Sequence, residues 1–240
     1  MLSKPTDIDY LQNTLSADSI IYYHNNGIYN RLATAEDHPG LIIDYLKPLI
    51  KDSVMLDAGC GTGKYIELFA PLATNITGVD ISKPQLDSAD LNTALFNNVT
   101  LVNVSADSIP IETNSIDMII GSWFLGTVLE EEKRVRILEE LNRVLRPTGS
   151  IILIENDSGG EFEEIRGRID NLENRTTAYN EWLITKASFS VKKKINTYFK
   201  FDSPEECYNV IGTIWGEHVA SKTKSDTIQH NVIIFQRNKI

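Results

Sequence analysis

At 240 residues, 42% of them hydrophobic, the chain can bury a full core and fits one α/β domain with peripheral additions better than two equal domains. Its formal charge of -10 sets the average surface against a nucleic-acid backbone, whose binding needs a concentrated basic face. Two cysteines are too few for a disulfide framework or a cysteine zinc site. No stretch reaches the roughly 18–20 apolar residues of a membrane span, and the first residues lack a signal-peptide core, so a cytoplasmic protein without membrane or nucleic-acid partners is expected.

Residues 1 to about 50 carry Tyr10, Tyr22, Tyr23, His24, Asn25, Asn26 and Tyr29 in stretches of helical character that no sheet strand requires. They read as a helical cap over the site, centred on residues 1–40. From there the chain alternates short β-branched runs with helical patterns, as a parallel sheet covered by helices on both faces does. Strands are expected at Val54 to Asp57, Ile76 to Asp80, Thr100 to Val104, Ile116 to Ser122 and Ser150 to Glu155. Helices are expected at Gly63 to Leu72, Lys83 to Phe96 and Glu130 to Leu145, the last stopped by Arg146, Pro147 and Gly149.

The final quarter changes pattern. Lys194 to Phe201 alternates, Ser203-Pro204-Glu205-Glu206 opens a helix with a hydroxyl cap and early acids, and Val232 to Gln236 makes a last strand. The run Lys192 to Lys194 reads as a solvated strand entry, because a nucleic-acid footprint needs many more phosphate contacts. The expected division is a cap over 1–40, a ligand-binding core over 41–156, and an acceptor-side insert with edge strands over 157–240.

The segment Val54 to Tyr65 runs from a buried strand through Gly59, Gly61 and Gly63 into a helix, so the backbone can turn sharply and approach a ligand without Cβ interference. A dinucleotide turn would want its third glycine at Lys64, and a P-loop would want glycine at Ala58 and a hydroxyl residue at Tyr65. Both fail on spacing. The surviving arrangement, Asp57-x-Gly59-x-Gly61-x-Gly63, resembles the first motif of class I S-adenosylmethionine (SAM)-dependent methyltransferases.

Asp80 falls where that family ends its second strand, and the resemblance implies that it accepts both ribose hydroxyls while Ile81 lies against the adenine. Ser82, next in line, fills the helix-capping role that such an acid would otherwise have. The stretch Ser105-Ala106-Asp107-Ser108-Ile109-Pro110-Ile111, followed by Asn114-Ser115-Ile116-Asp117, is similar to the small-molecule, type 11 branch. There Ser105 replaces the usual aspartate at the adenine amino group, Ala106 supplies a backbone N–H, and Asp107 takes the family's glutamate. Adenine contact falls to Ser105 or Asp107.

The resemblance further implies a Rossmann-like, seven-stranded, mostly parallel sheet with an antiparallel edge strand. It brings Gly121, Ser122 and Trp123 near the sulfonium, and sets Tyr29 and Arg31 as an upstream element that covers the cofactor and meets its carboxylate. SAM would be the methyl donor and S-adenosylhomocysteine (SAH) the product, with a small-molecule acceptor and a monomeric or homodimeric protein. The four histidines are too scattered for a metal site, and no residue stands out as a base, His24 in the cap being as readily structural. Tyr179, Trp182, Lys186 and Phe189 lie where relatives complete the acceptor pocket, though at helical spacing they could equally be a packed face. A noncatalytic SAM-binding subunit and a protein methyltransferase are the competing readings.

Overall fold

The computed structural model describes residues 26–167 and 175–240. The cap residues Tyr10, Tyr22, Tyr23, His24 and Asn25 lie outside them. Two helices, α1 (Asn26–Ala35) and α2 (Leu41–Ile50), lead into an alternation of β1 (Val54–Ala58), α3 (Lys64–Phe69), β2 (Asn75–Asp80), α4 (Lys83–Thr93), β3 (Val99–Asn103) and β4 (Ile116–Ser122). There follow α5 (Glu131–Val144), β5 (Leu145–Asn156), α6 (Glu161–Ile165), α7 (Arg175–Thr185), β6 (Ser190–Lys200), α8 (Pro204–Trp215), α9 (Glu217–Ala220) and β7 (Thr227–Asn238).

The seven strands form one sheet in the order β3-β2-β1-β4-β5-β7-β6. β1 to β5 pair in parallel, whereas β7 runs antiparallel to β5 and β6 antiparallel to β7. This is the expected α/β class, with one refinement: the antiparallel strand β7 lies one place in from the edge, and β6 forms the edge. The chain order reverses between β1 and β4. At such a point the loops leaving two neighbouring strands diverge and open a crevice at their C-terminal ends, which is where ligands bind in open α/β sheets.

Side chains alternate across the sheet because successive Cβ atoms point to opposite faces. Met55, Ile76, Ile120, Ile152 and Ile154 pack with Ile42, Leu46 and Ile50 of α2 and Ile66 and Phe69 of α3. Their neighbours Leu56, Val79, Ile119, Ile151 and Leu153 face Ile137, Leu138, Leu141 and Val144 of α5 together with Leu183 of α7. A third cluster joins Leu32 and Ala35 of α1 to Phe162, Phe199, Phe201, Val210, Ile211 and Ile214. It links the first described helix to the last quarter of the chain.

β6 and β7 start earlier than expected, at Ser190 and Thr227, and three further boundaries differ for local reasons. α3 stops at Phe69, since Pro71 supplies no amide and restricts the residue before it. α4 ends at Thr93, whose carbonyl accepts the Phe96 amide in a closing turn. β5 begins directly after α5, and the expected stop at Arg146, Pro147 and Gly149 survives as an irregularity where pairing steps from Ile116–Leu145 to Met118–Ser150. The hydroxyl caps are as expected: Ser82 accepts the Gln85 amide and Ser203 the Glu206 amide.

Asp37 fixes the corner between α1 and α2. It is buried, its carboxylate accepts the backbone amides of Leu41 and Ile42 at 3.0 and 2.9 Å, and one oxygen also accepts the Thr197 hydroxyl of β6 at 2.8 Å. Asp37→Ala leaves two helix-start amides and a buried hydroxyl without acceptors. A loss of about 2–4 kcal/mol is expected in the denaturant-unfolding free energy, because each buried donor left unpaired costs roughly 1–3 kcal/mol less what water recovers.

Candidate functional site

The glycine loop closes β1 against β2. The amides of Gly59 and Cys60 both donate to the Val79 carbonyl, and the Gly61 amide donates to Asp80 Oδ2 at 2.9 Å. Gly59, Gly61 and Gly63 have φ of 72°, 55° and 85°, the left-handed region in which a side chain is strained. Their surroundings differ. A Cβ on Gly59 would lie 2.4 Å from Phe124 Cδ2, and one on Gly61 would lie 3.0 Å from both the Tyr29 hydroxyl and Gln85 Oε1. A Cβ on Gly63 would instead meet Ala89 of α4 at 3.2 Å, so this third glycine serves helix packing.

Asp80, at the end of β2, holds the loop and the next helix at once. Its Oδ1 accepts the Ser82 amide at 2.8 Å while Oδ2 accepts Gly61. Removal from water raises its pKa above the ordinary carboxylate value, with the amides of Ser82, Gly61 and Ile81 pulling the other way. A carboxylate has about four lone-pair positions, so acceptor capacity remains on the side that faces the cavity. Asp57, beneath the loop, is 1% exposed and neither oxygen has a hydrogen-bond partner among the described residues. Burial, and after it the nearby Asp80 charge, pushes its pKa up to about 8.

Two cavities open over this framework. The larger, about 490 Å³, is lined by Gly59, Gly61 and Asp80 at one end and by Arg134, Glu155, Tyr179 and Trp182 at the other, a volume in the range of small-molecule sites. The smaller, about 50 Å³, is bordered by Ile81, Ser105 and Ala106. Both touch Gly59, Asp80, Phe124 and Thr127. The Phe124 ring, resting on Gly59, therefore stands between them. It follows Trp123, whose φ of 47° is unusual for a large side chain.

The expected site residues distribute unevenly. Tyr29, Gly59, Gly61, Asp80 and Ser122 line the larger cavity, and Ile81, Ser105 and Ala106 the smaller. Asp57, buried under the loop, and Gly63, which faces α4, line neither cavity. Arg31 points outward, 4.0 Å from Glu206, and lines neither cavity; Asp107 lines neither as well. Of the two residues left open for adenine contact, only Ser105 borders the small cavity.

Sequence reasoning passed over the C-terminal end of β5. Glu155 is buried and its Oε1 accepts the Tyr179 hydroxyl at 2.8 Å. Burial outweighs that hydrogen bond, the nearby Gly126 amide and the Arg134 charge, and pushes its pKa up to about 8. Asn156 follows: its Oδ1 accepts Trp123 Nε1 at 3.2 Å and lies 2.8 Å from His230 Nε2, and its backbone carbonyl accepts Asn180 Nδ2 at 3.0 Å. Burial, then the charges of Arg166 and Lys64, hold His230 well below the ordinary histidine value, so it is neutral. Glu36 also faces the cavity, raised to about 7 by burial although Lys64 lies 3.3 Å away. The available signal was position: Glu155 ends a parallel strand beside the switch point.

The donor set suits SAM. Its adenosine needs a carboxylate for two ribose hydroxyls, which Asp80 has, and a flat apolar slot, which Ile81 and Ala106 border. Its amino-acid end brings a cation, and the buried, unpartnered Asp57 carboxyl lies under the glycine loop where a positive group would favour its ionised form.

Residues 56–153 match the type 11 family described as "Methyltransferase domain". Among curated proteins, the chain is similar to the ubiquinone/menaquinone biosynthesis C-methyltransferase UbiE of Campylobacter jejuni, 33% identical over 118 residues that make up 46% of each chain. It is also similar to demethylmenaquinone methyltransferase of Staphylococcus aureus, 34% identical over 108 residues, 44% of each chain. The chain thus matches about half the length of these curated relatives.

Among solved structures, the YcgJ protein of Bacillus subtilis superposes with a TM-score of 0.57 at 16% identity, covering 82% of this chain and 97% of that one. A SAM-dependent methyltransferase from Aquifex aeolicus does so with a TM-score of 0.56 at 15% identity, covering 91% and 97%. At such identities the likeness is one of fold. Residues 56–153 thus match the type 11 methyltransferase domain, and the sheet that carries them has the fold of a solved SAM-dependent methyltransferase.

Proposed function

We propose that this chain transfers a methyl group from SAM to a small-molecule acceptor bound in the larger cavity. The observation that carries the reading is the continuity of that cavity from Gly59, Gly61 and Asp80 to Glu155 and Tyr179. A noncatalytic SAM-binding subunit would have no need of a second chamber opening beyond Ser122.

When bound, SAM supplies a methyl on a cationic sulfur that is open to in-line attack by a lone pair. The chain's own contribution is to hold donor and acceptor in near-attack geometry and to exclude water. Asp80 and Ser105 would orient the nucleoside. Tyr29, over Gly61, would cover the donor, and Trp123, tied to Asn156, would form the floor between donor and acceptor. Where the nucleophile carries a proton, Glu155 is the carboxyl suited to receive it, since a pKa of about 8 gives appreciable amounts of both forms near neutrality. One curated relative is named as a C-methyltransferase of ubiquinone and menaquinone biosynthesis and another as a demethylmenaquinone methyltransferase; with half of each chain matched, such an acceptor is one to test among others.

Calorimetric titration of the purified chain with SAH is the direct check. Saturable one-site binding is expected, followed by transfer of label from methyl-labelled SAM to a component of a small-molecule extract. Folded protein that binds neither SAH nor SAM would sink the proposal. Transfer to basic peptides but to no small molecule would move it to protein methylation.

A further inference from the structure

The far wall of the larger cavity holds two guanidinium groups that the reaction outlined above does not use. Arg134, in the first turns of α5, is half-buried and lies 5.2 and 5.4 Å from the ring centres of Tyr179 and Trp182. Those rings are themselves stacked, 6.3 Å apart and 17° from parallel. Arg134 Nε donates to the Val128 carbonyl at 2.7 Å, which fixes the guanidinium plane. Its two terminal nitrogens have no acceptor among the described residues.

Arg175, at the start of α7, lines the same cavity. Burial holds the Arg134 pKa below the ordinary arginine value, and the Arg175 cation acts in the same direction, so the two charges repel. Glu131 and Glu155 are the acids near them, but neither comes within ion-pair distance of either guanidinium among the described residues. The third arginine of the wall, Arg166, differs: it is paired with Glu163.

Two repelling cations on one cavity wall, with no carboxylate in ion-pair distance of either among the described residues, cost free energy that a bound anion recovers, and a guanidinium is the side chain best shaped to take a carboxylate by two parallel hydrogen bonds. Asn180 also lines the cavity; it is 8% exposed and spends Nδ2 on the Asn156 carbonyl, while Oδ1 is buried with no donor among the described residues. Flat rings, Tyr179, Trp182, Phe162 and Trp215 among them, line the same cavity.

We propose that the acceptor is a planar aromatic acid, its anionic group held by Arg134 and Arg175 and its ring lying against Tyr179 and Trp182. The proposal rests on the methyl-transfer reading for the word acceptor; the anion site itself stands on the geometry of the wall. Between the arginines and the glycine loop, Asn180 and Glu155 would face a hydroxyl or amino substituent of the ring.

Calorimetry on the full chain tests it with 2-naphthoate, its neutral isostere 2-naphthamide and the non-planar cyclohexanecarboxylate, each with and without SAH. The expected result is that 2-naphthoate binds at least about tenfold more tightly than the other two, the scale of one charge-assisted pair. Arg134→Met should abolish that preference and Arg175→Gln, at an exposed position, should reduce it severalfold, while SAH affinity stays unchanged in both. Equal binding of naphthoate and naphthamide, no binding of naphthoate, or preference retained in both variants overturns the anion site. Equal binding of cyclohexanecarboxylate overturns the aromatic assignment. Failure of SAH to bind alongside a retained naphthoate preference would strike the cofactor reading alone.

Discussion

Asp80→Ala is expected to raise the dissociation constant for SAH by roughly two to four orders of magnitude. A carboxylate accepting two ribose hydroxyls makes two charge-assisted hydrogen bonds of roughly 1.5–3 kcal/mol each, and every 1.4 kcal/mol is about tenfold. The variant also removes the acceptor of the Gly61 and Ser82 amides, so part of the loss will come from a loosened glycine loop. Asp80→Asn separates the two effects in part. It removes the charge and keeps one carbonyl oxygen, enough for one of the two loop amides while its NH2 faces the other, so an intermediate affinity with a lowered thermal unfolding temperature is expected. Affinity within about threefold of the parent in both variants would refute the ribose assignment.

The second large effect concerns Asp57 and carries a pH signature. Its carboxyl is buried without partners and its pKa stands at about 8, against an ordinary value of 3.8. The folded form therefore holds a proton that the unfolded chain gives up near pH 4. The sign follows: the associated stability is fully present below about pH 4 and is lost as pH rises through about 8. Asp57→Asn should raise the melting temperature of the ligand-free protein at pH 8.5 and change it little at pH 4.

Ligand binding should show the reverse dependence. A ligand ammonium set beside Asp57 favours the carboxylate, so binding below pH 8 must expel a proton, and SAH affinity should rise between pH 6 and 8 by up to about tenfold per pH unit. In Asp57→Asn the rise should disappear and the affinity at pH 8 should fall by about 10- to 100-fold, the loss of one charge-assisted contact. Calorimetry in two buffers of different ionisation enthalpy measures the proton directly. No proton release by the parent chain would rule out a direct role for Asp57 at the cationic end.

The core of the fold was legible because its signals are local. Short apolar runs mark strands buried on both faces, Ser82 and Ser203 mark helix starts through a hydroxyl and an amide three residues apart, and the glycine spacing excludes two rival loops without reference to anything distant. Asp80 was legible for the same reason, as the last residue of its strand. Arg31 and Asp107 were less so. Which way a helical or loop side chain points depends on its neighbours in space, and Glu206, 175 residues further along, draws Arg31 outward.

The amino-acid sequence by itself thus determined the parallel core, the glycine turn between Asp57 and Gly63, and the acid that ends β2. Only the tertiary structure decided the far wall of the larger cavity. Glu155 and Tyr179 stand 24 residues apart in the chain and meet through one hydrogen bond. Arg134 reaches Trp182 from a different helix, and β7 inserts between β5 and β6 although it comes last. A cavity wall built from such pairs leaves no period or spacing to read, because its chemistry arises when burial and neighbouring charge act on residues that are unremarkable alone.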